Sequence, residues 1–146
     1  MPLHIIKLCV GCESLSELAA WQKQRLKEKR AKGQKPELIH VTRMTPKRGD
    51  EVLDGGSLYW VIKGQVRVRQ PITALEPRND EDGRGFCAIR LAAKLVPVLP
   101  RRQRPFQGWR YLAAADAPPD LAKGQRVGDD EPPPEMLAEL RALGLL

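Results

Sequence analysis

The run Gly55-Gly56-Ser57-Leu58-Tyr59-Trp60-Val61-Ile62-Lys63-Gly64 constrains this chain more than any other stretch. Its interior is β-branched and aromatic, and glycines close it at both ends, so Ser57 to Lys63 reads as a strand. Gln65-Val66-Arg67-Val68-Arg69-Gln70 then alternates strictly, which predicts Val66 and Val68 inward and Arg67 and Arg69 outward. Lys63-Gly64-Gln65 supplies a tight turn between the two. A chain with this hairpin at its centre must build an antiparallel sheet around it.

The flanking segments add to that sheet. Leu3-His4-Ile5-Ile6-Lys7-Leu8-Cys9 is almost continuously apolar, as expected of a strand covered on both faces. Ser14-Leu15-Ser16-Glu17 is a capping-box pattern that opens a helix ending at Gly33. Glu37 to Met44 predicts a second strand. Thr45-Pro46 predicts the start of a short helix to about Leu53, with Thr45 as cap and Pro46 in the first turn. Strand continues from Pro71 to Glu76, with Pro71 placing a bend or an edge. Gly85 to Leu91 and Leu95 to Leu99 are further strands, Arg101 to Pro105 a basic loop, and Phe106 to Leu112 an aromatic-rich end to the core. The fold class expected is α+β: a mixed, mainly antiparallel curved sheet tending to a barrel, with one long helix in the N-terminal half and a C-terminal helix. Residues 1–115 are expected to form that domain. Residues 116–146 read as a Pro-rich arm with a terminal helix bearing Met136, Leu137, Leu140 and Leu143 on one stripe.

Charge is unevenly spread. Of the net +7, residues 1–48 carry +7, residues 49–112 carry +4, and residues 113–146 carry −4. A basic body suits an anionic partner, with nucleic acid the usual one, and equally suits a merely soluble surface. No apolar run reaches the roughly 18 residues of a membrane span. The start lacks a basic leader and a cleavage site, so cytoplasmic residence is expected. The three cysteines are then expected as thiols.

Two constellations carry chemistry. Cys9-Val10-Gly11-Cys12 stands between a strand and a helix, the setting of a reactive dithiol. A thioredoxin-type fold is unsuitable, because Gln65 to Leu99 reads as strand where that fold needs helix. The same pair is half a zinc site, which Cys87, His4 and His40 could complete, and the alternative is plain packing. The second constellation is basic and aromatic. Lys47 and Arg48 fall in a helical first turn, Arg67 and Arg69 on a strand. Arg101, Arg102, Arg104 and Arg110 cluster around Trp109 and Tyr111. Guanidiniums grip phosphates and aromatic faces stack on unpaired bases. Trp60, in its apolar strand, reads as core. No Gly-x-Ser-x-Gly elbow, P-loop or Gly-x-Gly-x-x-Gly is present, so the residues supply no catalytic set.

Three stretches together resemble a bacterial family known as domain of unknown function 1489. They are His4 to Cys12, His40 to Arg48 with Gly55 to Gly64, and Pro105 to Leu112. The resemblance implies no activity and no catalytic residue. A second resemblance is to PUA-like and ASCH-like domains. It rests on the order of short helix, Asp54-Gly55-Gly56, apolar strand, Gly64 and Arg-bearing strand, and it departs where Val68 precedes Arg69 in place of an acid. It implies a pseudo-barrel that binds RNA or modified nucleotides. The expected function is a non-enzymatic RNA- or nucleotide-binding module with no cofactor. A zinc or thiol protein and a protein-interaction adaptor acting through residues 116–146 are the alternatives.

Overall fold

The computed structural model describes residues 2–121. The proposed terminal helix and most of the Pro-rich arm lie outside them. The elements run β1 (Leu3–Leu8), α1 (Leu15–Ala31), β2 (Leu38–Thr42), α2 (Gly49–Leu53), β3 (Ser57–Ile62), β4 (Gln65–Asn79), β5 (Gly85–Leu91), β6 (Val96–Arg102) and β7 (Trp109–Ala113), then one 3₁₀ turn at Ala114–Asp116. Among the described residues seven strands form one curved sheet in the order β2-β5-β4-β3-β1-β7, with β6 pairing β4 off that path. Only β1 and β3 pair in parallel; the other pairs are antiparallel. This is the α+β mixed sheet expected from the pattern.

The central hairpin forms as its residues dictate. All six β3 residues are buried. Lys63 and Gly64 both take positive φ, 49° and 77°, which matches the twist of a two-residue hairpin turn. On α1, the Ser14 hydroxyl accepts the Glu17 amide at 3.2 Å. The Glu17 carboxylate reaches back one residue further than a standard box, to the Glu13 amide at 3.3 Å. At its other end Gly33, at φ 71°, donates to the Arg30 carbonyl while Gln34 donates to that of Lys29, a Schellman closure.

Three expectations are corrected. The alternation of Val66 to Arg69 does not survive pairing. Val61 lies opposite Val66 and Trp60 opposite Val68, so Arg67 is the extra residue of a bulge. Val66 and Val68 consequently enter different apolar clusters, one on each face of the sheet. Arg67 is not outward but 7% exposed, bonded to Gln65. β4 continues through Pro71, as expected, and there exchanges β3 for β5 as partner. The short helix begins at Gly49, with no side-chain cap, so Thr45 and Pro46 precede it. Finally, Arg101 and Arg102 belong to β6 and not to a loop.

The larger core lies under α1, where Leu15, Leu18 and Ala19 meet Ile5, Leu58, Trp60 and Ile89. A smaller core on the opposite face gathers Ile6, Tyr59, Val61, Val66, Val98, Phe106 and Leu112. The chain after the 3₁₀ turn stays on this second face: Leu99 donates to the Pro119 carbonyl and Leu121 to that of Pro97. Among the described residues no helix is long and apolar enough to cross a membrane.

Candidate functional site

A cavity of about 170 Å³ opens between α1 and the sheet. β3 supplies Trp60, β2 supplies His40, β1 supplies Lys7, the turn after β1 supplies Cys9, and α1 supplies Trp21, Gln22 and Arg25. On α1, Leu18, Trp21, Gln22 and Arg25 fall within one strip at helical spacing, so one flank of the helix forms one wall. Inward alternation on β2 brings His40 onto the same side as buried Leu38 and Thr42.

The polar chemistry centres on two groups. Gln70 is fully buried and has every hydrogen-bonding site used. Its Oε1 accepts from Gln22 Nε2 at 2.9 Å and from Trp60 Nε1 at 3.2 Å. Its Nε2 donates to Gln22 Oε1 at 2.9 Å and to the Ala92 carbonyl at 2.8 Å. The indole of Trp60 and the amide of Gln22 are thereby held in place. His40 is the contrasting case. Its ring meets Trp60 edge to face at 5.0 Å, and its buried Nε2 has no hydrogen-bond partner among the described residues. Burial, reinforced by the Lys7 and Arg25 charges, pushes its pKa down to about 4. It is therefore neutral at pH 7 and offers an unused polar atom beside an indole.

That shift has a thermodynamic consequence. The unfolded histidine takes up its proton near pH 6.5 while the folded one resists until about pH 4. Unfolding therefore binds a proton across that window, and stability must fall as pH drops through it. His4 acts in the same direction, since burial and then Arg69 lower its pKa too. Subtracting a His40→Phe variant isolates the His40 share, expected to be on the order of 2 kcal/mol between pH 7 and pH 4. Parallel denaturation curves for both proteins over that range would refute the assignment.

Of the ten sequence-predicted nucleic-acid residues, the fold gathers three on the face that carries this cavity. Trp109 and Tyr111 meet edge to face at 4.9 Å, and the Arg48 guanidinium lies 5.6 Å from the Tyr111 centroid. Trp109 Nε1 donates to the Met44 carbonyl at 2.9 Å, tying the β2–α2 connection to β7. Arg48 is not in a helical first turn: its amide donates to Tyr111 Oη at 3.0 Å and its side chain pairs with Glu51. Lys47 is exposed beside it.

The others are dispersed. Arg69 forks onto Asp120 at 2.7 and 2.8 Å and reaches Ser57 Oγ at 2.9 Å, which fastens the chain after β7 to the second face. That bond to Asp120 raises the Arg69 pKa and lowers the carboxyl. Arg101 binds the Asp116 carbonyl, Arg110 covers Phe106 at 4.7 Å, and Arg102 and Arg104 are exposed.

The five candidate metal ligands do not converge. His4 Nδ1 accepts the Ser57 amide at 3.0 Å, with its ring against Tyr59 on the second face. Cys87 is buried in the larger core, where burial raises its pKa. In place of two free thiols, Cys9 and Cys12 form a disulfide. Among the described residues no three His, Cys, Asp or Glu side chains stand close enough to hold a metal ion. Of this set only His40 and Cys9 line the cavity. Lys7, Trp21, Gln22, Arg25 and Gln70 escaped the sequence reading. The signals were a lysine and a glutamine inside otherwise apolar or alternating strands, and a Trp–Arg pair four apart on a helix.

The model of a family described as protein of unknown function (DUF1489) matches residues 5–146. No curated protein and no solved structure matches the chain.

Proposed function

We propose a role for this chain, which belongs to the DUF1489 family of proteins of unknown function: it binds the base of a nucleotide or of an RNA in the cavity under α1. The observation that carries the reading is the unpartnered, neutral His40 Nε2 beside the Trp60 indole, in a cavity whose rim bears Lys7 and Arg25. Aromatic walls suit a planar ring, and base–aromatic stacking contributes about 1–3 kcal/mol per base. The two rim cations suit the phosphate that accompanies a base. His40 Nε2, already desolvated, gains a hydrogen bond on binding without losing one to water.

Size narrows the ligand. Drug-sized ligands occupy sites of roughly 300 Å³ or more. A cavity of about 170 Å³ suits one ring system. The order of short helix, glycine stop and Gly-bounded hairpin, on which the PUA-like resemblance rests, points to the same ligand class. The residues of the cavity offer no nucleophile paired with a base, so the reading is of a binding module.

Titration of the full chain with the four ribonucleoside monophosphates, followed by tryptophan fluorescence, tests it. Saturable quenching by at least one of them is expected. His40→Phe keeps the ring against Trp60 and removes only the polar atom, so affinity should fall about tenfold, the equivalent of one hydrogen bond. Absence of saturation at millimolar concentrations of all four, in low salt, would end this reading.

A further inference from the structure

We infer that the ligand is a single-stranded stretch of nucleic acid, with one base in the cavity and its neighbour on Trp109 and Tyr111. This rests on the proposed base-binding role of the cavity and adds a second subsite to it. The two are joined by the register of the sheet. Lys7 on β1 is the partner of Trp60 on β3 and also of Trp109 on β7. The three side chains therefore form one row across three strands on a single face. Two strand spacings, roughly 10 Å, separate the ends of that row. One ring cannot touch both tryptophans, whereas two successive bases can, with the linking phosphate near the Lys7 ammonium.

The second subsite has the chemistry of a stacking platform. Trp109 and Tyr111 are both only half-buried. Their edge-to-face arrangement means that the rings do not cover each other as a sandwich would. Arg48, exposed and within 5.6 Å of the Tyr111 centroid, is within reach of the next phosphate, for which its surface partner Glu51 can be exchanged at little cost. A base that enters the cavity between α1 and the sheet must leave its pair and its stack, so a duplex is excluded.

The experiment compares a mononucleotide, a trinucleotide, an eight-residue single-stranded RNA, the matching DNA and a duplex, each titrated against the full chain. The trinucleotide is expected to bind at least tenfold tighter than the mononucleotide, and the duplex not to compete. Trp109→Ala should collapse that tenfold ratio towards one. Arg48→Ala, on the surface and without risk to the fold, should reduce it severalfold and lower the salt dependence by about one phosphate contact. His40→Phe should weaken both ligands alike and leave the ratio intact. A preference for either sugar supports the inference, because both subsites read bases. Equal affinity for mononucleotide and trinucleotide, a ratio indifferent to Arg48→Ala and Trp109→Ala, or efficient competition by duplex overturns it while the cavity reading stands. Failure of every ligand, the mononucleotide included, overturns both.

Discussion

Gly56→Ala is expected to leave the chain without a stable fold. A Cβ at this position would stand 2.3 Å from the Leu3 carbonyl oxygen and 2.3 Å from that of Val52. Both obstacles are backbone, so neither can rotate aside. Gly56 sits where α2 ends against β1: its amide donates to the Val52 carbonyl at 2.8 Å, and its own carbonyl accepts the Ile72 amide at 3.1 Å. Moving the segment to admit a methyl group would break both bonds and lift β3 away from the first strand. Overpacking alone costs about 1–3 kcal/mol, and the lost hydrogen bonds add to it. Total stability for such a domain is about 5–15 kcal/mol, so the variant should be insoluble or unfold in low denaturant. A Gly56→Ala protein within about 1 kcal/mol of the parent in urea titration would show that this close approach of backbones is not required.

Gln70→Leu is expected to destabilise by about 3 kcal/mol, although leucine is similar in volume and more apolar. The side chain is fully buried, and its amide bonds Gln22, Trp60 Nε1 and the Ala92 carbonyl. Substitution strands an indole N–H and a carbonyl in a low-dielectric interior, each costing about 1–3 kcal/mol, and only part of that is offset by the added apolar burial. The same change frees Gln22 and the Trp60 ring, which form two walls of the cavity. Mononucleotide affinity should therefore fall together with stability. Measuring both in one preparation separates the two: a Gln70→Leu variant as stable as the parent would mean that the amide network does not lock the core.

The secondary structure was largely legible because its signals are local. Ser14 and Glu17 announce the start of α1, and Gly33 its end. Lys63-Gly64 announces the central hairpin, and the apolar composition of β1 announces that both of its faces are covered. What failed was inference across a partner strand. Strict alternation from Val66 to Arg69 predicts one inward face, and the bulge at Arg67 turns Val66 and Val68 to opposite sides. The same alternation puts Arg67 and Arg69 outward, yet one is buried and the other engaged by Asp120, 51 positions away. Thr45-Pro46 suits a cap by residue type, but the helix forms three residues later.

The sequence by itself determined that this chain makes an α+β sheet around a Gly-bounded hairpin and that α1 packs along one stripe. Tertiary structure alone decided that Lys7 stands between Trp60 and Trp109, and that His40 arrives beside Trp60 with a polar atom unused. It also decided that His4, Cys87 and the Cys9–Cys12 pair stay apart. The reason is physical. Side-chain periodicity specifies the face of its own strand, whereas the neighbour across each strand depends on register, curvature and bulges, which are set by the packing of the whole sheet.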